Sequence, residues 1–280
     1  MKHQKLQESM IPPYKAALLE AEKSAATIEK YLYSTRQFVT HCAGRRIDKA
    51  LVLEYKAMLG EVYAPASANV ALAAINGFLR FCGWGDCCVK PFKTQKAVYR
   101  PEEKELSRAE YIRLIKAAQE KSSERLALLL ESICATGIRV SELQYITVKA
   151  VAQGEAVVTS KGKTRTVFLP ATLRKQLQRY TQKRNIRTGP VFVTRTGRPV
   201  NRSNIWREMK ALCERAQVAP SKVFPHSLRH LFARTFYSID HDVAKLADSL
   251  GHSNINTTRI YIITTGAEHR RKMETMRLVI

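Results

Sequence analysis

The spacing of apolar residues predicts that the first third of the chain is helical. Residues 25–42 carry apolar side chains at helical intervals, and Ser24 stands before them as a candidate N-cap. The same periodicity predicts two further helices, over about 49–58 and 67–82. We therefore expect a helical domain over residues 1–90.

The helical periodicity stops at residues 91–104, where two prolines and many charged residues are typical of a linker. A second domain is expected over residues 105–280. It opens with Ser107 and Glu110 at the spacing of a capping box. The strongly apolar segment 123–136 then predicts a helix at the centre of the core.

The second domain also contains a signal for β-structure. Residues 156–160 and 164–170 are rich in β-branched side chains and flank a Lys-Gly-Lys turn, which predicts a short hairpin. Helical patterns return from Ala171 and are interrupted near 187–200 by glycine and proline. The pattern predicts a mainly α fold, with a helical domain followed by an α+β domain that holds a small antiparallel sheet.

The composition excludes several classes of protein. Of 280 residues, 45% are hydrophobic and 25% are charged, as in folded proteins rather than disordered ones. No apolar run approaches the roughly 18 residues of a membrane-spanning helix, and the first residues lack the apolar core of a signal peptide. Six scattered cysteines without a C-x-x-C pair favour reduced thiols. We expect a cytoplasmic protein.

The net charge indicates the kind of partner. Forty-seven Lys and Arg against 24 Asp and Glu give a net charge of +23. The 52 residues between Glu155 and Glu208 hold 13 basic side chains and no acidic one. A charge this large predicts nucleic acid or an anionic membrane surface as partner, and its concentration in one stretch favours nucleic acid.

Two basic segments of the second domain could bind phosphate. Arg139 follows a glycine turn at the end of an apolar helix, where its guanidinium could bind phosphate oxygens, and Ser141 is expected to cap the next helix. The predicted hairpin tip carries Lys161, Lys163 and Arg165. A basic surface turn would look the same, so this segment alone does not decide the function.

The hairpin tip also ends like a nucleotide-binding P-loop, in Gly162-Lys163-Thr164. That motif requires a glycine where Val157 stands, and a helix after the lysine, whereas a strand is predicted here. The sequence therefore argues against an ATPase.

A third segment places polar side chains on one face of an amphipathic helix. His226, Arg229 and His230 share this face because they are three and four residues apart, while the apolar residues of the segment turn toward the core (Leu228, Leu231 and Phe232). An arginine between two histidines would repel a metal ion. The residue types fit phosphate binding and proton transfer better.

A fourth segment holds His252 and, nine residues later, Tyr261, on a helix expected to begin near Asn256. The chain has 11 tyrosines, so composition does not single out this one. Together the four segments supply arginines, lysine, histidines and a tyrosine for one phosphate, and they show no acidic cluster for Mg²⁺. The transition-state charge would then be held by side chains alone.

These four segments resemble the catalytic boxes of one known family, the tyrosine recombinases or phage integrase family. The resemblance covers most of the chain and rests on four segments in order: TGIRVSEL, VVTSKGKTRTVFLP, HSLRHLFA and LGHSNINTTRIY. It implies a SAM-like core-binding first domain and a catalytic second domain. The layout resembles that of Xer-type or Cre-like enzymes, without an arm-binding domain.

The resemblance implies site-specific DNA recombination through a covalent intermediate. Tyr261 would attack the scissile phosphate and form a 3′-phosphotyrosyl link, while Arg139 and Arg229 would hold the nonbridging oxygens. Lys161 would protonate the leaving 5′-oxygen. Lys163 is the alternative, since the family usually has one more residue between the two lysines than this chain has.

The remaining carried-over residues would assist this chemistry. His226 would exchange a proton with the tyrosine, and His252 would hydrogen-bond the phosphate. Glu142 and His230 would occupy supporting positions, for which a purely structural role is equally open. No cofactor, metal ion or ATP is implied, because the covalent link conserves the energy of the phosphodiester.

The expected partner is double-stranded DNA, bound by a homotetramer that joins two sites. Residues 273–280 would dock on a neighbouring subunit after a flexible joint at Gly266–Lys272, with packing on the tail's own domain as the alternative. Candidate DNA contacts are Lys163, Arg165, Arg198 and Arg202. The competing interpretations are a type IB topoisomerase-like enzyme and a noncatalytic DNA-binding relative. Accessory proteins stay open.

Overall fold

The fold comprises two compact units, Met1–Lys96 and Ala97–Ile280. The computed structural model describes residues 5–42, 44–94, 103, 105–120, 123–160, 162–194, 196–261 and 266–276. The division between the units falls inside the segment that the sequence predicts as a linker.

The first unit is built from helices packed around one apolar core. Its α-helices are α1 (Ile11–Glu20), α2 (Ala25–Cys42), α3 (Lys49–Val62) and α4 (Pro65–Phe81). The bounds of α2 are those predicted, and the Ser24 hydroxyl accepts the Thr27 N–H at 3.3 Å, which confirms the N-cap. Helix α1 was not predicted; Pro12 and Pro13 stand in its first turn and preset its backbone.

Helix α4 holds the last residues of the first unit through two asparagines seven positions apart. Asn76 exchanges hydrogen bonds with the backbone N–H and C=O of Val89, at 3.0 and 2.8 Å. Asn69 does the same with Phe92, at 2.7 and 3.0 Å. These side chains satisfy backbone groups that lack partners in a regular element, so the chain is held against α4 as far as Phe92.

The described part of the second unit combines helices with one two-stranded sheet. Its helices are α5 (Arg108–Glu120), α6 (Glu124–Thr136), α7 (Val148–Gln153), α8 (Ala171–Lys183), α9 (Arg202–Lys210), α10 (Pro225–Asp240), α11 (Val243–Leu250), α12 (Ile255–Arg259) and α13 (Gly266–Met276). Strands β1 (Glu155–Ser160) and β2 (Lys163–Phe168) pair antiparallel, as predicted. The capping box is also confirmed, because Ser107 and Glu110 exchange reciprocal hydrogen bonds of 2.8 and 3.2 Å.

Two local predictions are wrong. Ser141 does not cap a helix: a 3₁₀ helix (Val140–Tyr145) begins after Arg139, whose backbone N–H donates to the Glu142 carboxylate at 2.9 Å. The segment expected to be a flexible joint lies inside α13. Its glycine stands at the first helical position, where it does not interrupt the hydrogen-bond ladder.

Two expectations from composition can be compared with the structure. All six cysteines are free thiols. Among the described residues, no helix combines the length and the apolar character needed to cross a bilayer.

Candidate active site

Arg229 forms the floor of the candidate site. It lies on α10 with only 1% of its surface exposed, and it donates to the carbonyl oxygens of Gly137 and Leu250, the latter at 2.6 Å. These carbonyls stand at the C-terminal ends of α6 and α11, where unpaired oxygens and the helix dipole favour a cation. Burial and then the neighbouring Arg139 lower the pKa of Arg229 to about 10, so it stays charged.

Two glycines with left-handed backbone allow this close packing. A Cβ on Gly137 (φ +64°) would lie 2.5 Å from the Phe232 ring. A Cβ on Gly251 (φ +64°) would lie 2.7 Å from the Cδ of Arg165. Any larger residue would therefore displace a side chain as well as strain the backbone.

A buried carboxylate fixes the other two arginines. Glu142 is 2% exposed and accepts from Arg139 at 2.8 Å and from Arg165 at 2.8 and 3.0 Å. Burial would raise the pKa of Glu142, but the hydrogen bonds from Arg165 and Arg139 outweigh it and lower the pKa to about 2. Arg139 also reaches the Gly251 carbonyl at 3.3 Å, which ties the 3₁₀ helix to the end of α11.

His252 lies between Arg229 and helix α12. Its Nε2 is 3.0 Å from Arg229 Nη2, and its Nδ1 is 2.9 Å from the Thr258 hydroxyl. Burial, followed by the charges of Arg229 and Arg139, lowers the pKa of His252 to about 4. The imidazole is therefore neutral near pH 7.

Tyr261 follows α12 and is nearly buried, at 9% exposure. Its ring stacks on His230 with centroids 4.2 Å apart, and it lies 5.4 Å from the ring of His252. Its backbone N–H donates to the Thr258 carbonyl at 2.9 Å. The tyrosine also interacts with Arg229, and this interaction partly offsets the lowering of the pKa of Arg229 by burial and Arg139. The structure thus brings Tyr261, Arg229, His252 and His230 together.

The other predicted residues lie at the surface or outside the described part. His226 lies in the first turn of α10 with part of its surface exposed, and desolvation of the rest, followed by the charge of Arg229, lowers its pKa. Lys163 at the start of β2, Arg198 before α9 and Arg202 in its first turn are exposed. Lys161 lies outside the described residues.

Three residues of this site could not be recognised from the sequence, because nothing in a lone threonine or glycine marks a contact with a distant helix. They are Thr258, Gly137 and Gly251. Arg165, predicted as a DNA contact, donates two hydrogen bonds to the Glu142 carboxylate.

The site as a whole carries excess positive charge. Of its three guanidiniums, those of Arg139 and Arg165 are paired with the Glu142 carboxylate, whereas Arg229 donates to the carbonyl oxygens of Gly137 and Leu250. The Nε of Arg229 is buried and has no hydrogen-bond acceptor among the described residues. An unused buried donor and surplus cations suit an oxyanion such as a phosphodiester, and they would repel a metal ion.

Comparison with known proteins identifies the family. Residues 104–267 match the profile of the phage integrase family. The chain belongs to the phage integrase family. The prediction of a site-specific tyrosine recombinase with a mainly α fold and one small antiparallel sheet is therefore confirmed.

Two relatives of this family member align over most of their length. "Tyrosine recombinase XerD" of Brucella suis biovar 1 is 30% identical over 277 residues, covering 87% of this chain and 89% of the relative. "Tyrosine recombinase XerA" of Thermococcus kodakarensis is 29% identical over 263 residues, covering 90% and 89%.

Solved structures of family members share the fold. The crystal structure of XerA recombinase is 25% identical, covers 97% of this chain and 99% of its own, and has a TM-score of 0.56. XerH bound to its difH substrate is 18% identical, covers 99% of both chains and has a TM-score of 0.72. A lambda integrase tetramer on a Holliday junction is 15% identical, covers 93% and 78%, and has a TM-score of 0.73.

Proposed function

We propose that this recombinase breaks and rejoins double-stranded DNA through Tyr261. The hydroxyl attacks a scissile phosphate, forms a 3′-phosphotyrosyl link and releases a 5′-hydroxyl; attack by a second 5′-hydroxyl reverses the step. The observation that carries the proposal is the position of Tyr261 beside the buried Arg229, within a site of surplus positive charge.

The arginines supply the electrostatic part of the catalysis. Arg229 is held by two helix ends, and Arg139 by Glu142 and Gly251, so neither guanidinium has to reorganise when a phosphate arrives. Preorganised donors of this kind stabilise the pentacoordinate transition state without a metal ion. Glu142 acts by orienting Arg139 and Arg165.

The histidines supply proton transfer and a further phosphate contact. His226 is exposed at the start of α10, and its lowered pKa keeps it neutral and able to accept the tyrosine proton. His252 completes the hydrogen-bond shell of the phosphate on the side of Arg229. His230 holds the tyrosine ring by stacking.

A covalent-trapping assay tests the nucleophile. Duplex DNA selected by the protein from a randomised pool is nicked so that the released 5′-end diffuses away, and adducts are separated in detergent. We expect a protease-sensitive adduct that Tyr261→Phe abolishes. Tyr237→Phe, on the neighbouring helix α10, is the matched control and should leave it intact. An adduct that persists in Tyr261→Phe would overturn the proposal.

The general acid is proposed to be Lys161, with Lys163 as the alternative. A substrate with sulfur in place of the bridging 5′-oxygen needs no proton on its leaving group. We therefore expect Lys161→Ala to cleave normal DNA slowly and the sulfur substrate at the wild-type rate. The same rescue in Lys163→Ala alone would assign the role to Lys163.

The exposed cations are proposed to hold the DNA backbone. Lys163, Arg198 and Arg202 lie at the surface of the second unit. Each phosphate contact that is lost should reduce the slope of log affinity against log salt by about one. An unchanged slope in all three alanine variants would exclude these contacts.

The tail is proposed to link four subunits during synapsis. Helix α13 exposes Met273 and Met276, each 59% exposed, which would suit docking on a neighbouring copy. Residues 277–280 lie outside the described residues. Deletion of 273–280 should keep binding to a single site and abolish pairing of two sites, as seen by native gel electrophoresis. If the deletion variant still paired two sites, this part of the proposal would be wrong.

A further inference from the structure

Thr258 connects the two ends of the last catalytic segment. Its side chain is completely buried, and its hydroxyl lies 2.9 Å from His252 Nδ1. Its carbonyl oxygen accepts the backbone N–H of Tyr261 at 2.9 Å. A single residue thus contacts both the histidine ring and the backbone of the proposed nucleophile.

The contacts of His252 fix the position of its one ring proton. Arg229 carries only N–H donors, so the Nε2 atom 3.0 Å away must accept. The neutral ring then carries its proton on Nδ1 and donates it to the Thr258 hydroxyl. A proton on Nε2 would instead point at an N–H of Arg229, which would turn the ring or the guanidinium.

We infer that Thr258 is a positioning residue that holds the His252 ring in either tautomer, accepting from Nδ1–H in the free protein and donating to Nδ1 once Nε2 donates to the DNA phosphate. This rests on the proposed function. The ring loses one proton at Nδ1 and gains one at Nε2 through solvent, so its charge does not change.

A hydroxyl suits this task because it both donates and accepts. A carboxylate or a backbone carbonyl at this place would only accept, and would hold the ring in the tautomer that cannot donate through Nε2. A valine would offer Nδ1 nothing. Serine keeps the hydroxyl, so Thr258→Ser and Thr258→Val separate hydrogen bonding from packing.

Nitrogen-15 NMR of the histidine rings tests the inference without any catalysis. In the DNA-free wild type we expect His252 to be protonated at Nδ1, with its signals assigned by their loss in His252→Gln. In DNA-bound Tyr261→Phe, which stays uncleaved, we expect protonation at Nε2. An Nε2–H ring in the free protein, or an Nδ1–H ring in the complex, would overturn the inference.

Trapping rates provide the second test. Thr258→Val should form the covalent adduct at least about tenfold more slowly, as expected for the loss of one hydrogen bond to a catalytic group. Thr258→Ser should stay within about threefold of wild type. Thr257→Val, the exposed neighbour on α12, is the matched control and should be unchanged.

The two proposals fail in different ways. Adduct formation by Tyr261→Phe would overturn the proposed function, and the tautomer in the free protein would still test Thr258. If Tyr261→Phe is inert but Thr258→Val reacts at the wild-type rate, only the Thr258 inference falls. A serine variant as slow as valine would mean that the methyl group and packing, rather than the hydroxyl, matter.

Discussion

Each unit of the chain holds a glutamate bridged by basic side chains, but the two clusters differ in burial. In the first unit, Glu54 accepts from Arg45 at 3.0 and 3.1 Å and contacts His41 at 3.1 Å, and its side chain is 54% exposed. In the second unit, Glu142 binds Arg139 and Arg165 and is 2% exposed. The same residue types therefore form one ion-pair cluster in contact with water and one that is shielded from it.

The difference shows what burial adds to an ion pair. Hydrogen bonds from Arg45 lower the pKa of Glu54, but water and salt screen that pair and can replace it. Around the buried Glu142, water cannot take the place of the arginine partners. Their hydrogen bonds lower the pKa of Glu142 to about 2, although burial alone would raise it. The surface cluster is an ordinary solvated one, whereas the buried cluster holds surplus cations in a fixed geometry.

The largest effect is expected at Arg229. Arg229→Lys keeps the charge but cannot donate to both the Gly137 and Leu250 carbonyls and still face the phosphate. Adduct formation should fall about 10²–10³-fold, the range for losing one preorganised donor. Arg45→Lys in the surface cluster should change nothing. Equal rates for the two variants would contradict the distinction between the clusters.

Removal of the bridging carboxylate should destabilise the protein when it is done in the buried cluster and not when it is done in the surface cluster. Glu142→Gln leaves two arginines without their counter-charge and should lower the free energy of unfolding by about 3 kcal/mol. Glu54→Gln should leave the denaturant midpoint unchanged, because water solvates its partners. Matching midpoint shifts in urea titrations of the two variants would refute the role assigned to burial.

Acid should weaken the buried site through His252. The unfolded ring takes up its proton near pH 6.5 and the folded ring near pH 4, so the unfolded state binds more protons between these values. Stability is therefore retained above pH 6.5 and falls as the pH drops toward 4, by about 2 kcal/mol for this group. The measurement is unfolding of wild type and His252→Gln at pH 7.5 and 4.5. An identical pH dependence in both would rule this contribution out.

The smallest effect is expected at two glycines with similar backbone. Gly83 of the first unit (φ +77°) has open space where a Cβ would stand, whereas a Cβ on Gly251 would meet Arg165. Both alanine variants carry the strain of a left-handed backbone, about 1 kcal/mol. Gly251→Ala should lose roughly another 1 kcal/mol and also slow adduct formation. A larger loss for Gly83→Ala would reverse the comparison.

Apolar periodicity predicted the parts of the fold that local sequence determines. The bounds of α2 and the pairing of β1 with β2 follow from side-chain spacing and turn chemistry within each segment. Helix α1 was missed because its two prolines look like a break when no helix is yet assigned. The 3₁₀ helix after Arg139 depends on a carboxylate that is itself held by Arg165, 23 residues further along.

The residue types of the site were readable from the sequence, but its geometry was not. The face shared by His226, Arg229 and His230 follows from helical spacing, yet the burial of Arg229 depends on the Gly137 carbonyl, 92 residues away. Arg165 has the pattern of a surface cation on an exposed strand until Glu142 is placed beside it. Contacts of this range arise from packing, on which single-segment patterns carry no information.

The most direct test of the central claim is to locate the residue that carries DNA in the trapped adduct. Nuclease and trypsin digestion of the adduct, followed by mass spectrometry, should yield the peptide 260–270 with a nucleotide remnant on Tyr261, its sole tyrosine. A remnant on another residue, such as Tyr237, or full recovery of unmodified peptide 260–270 from purified adduct, would contradict the account.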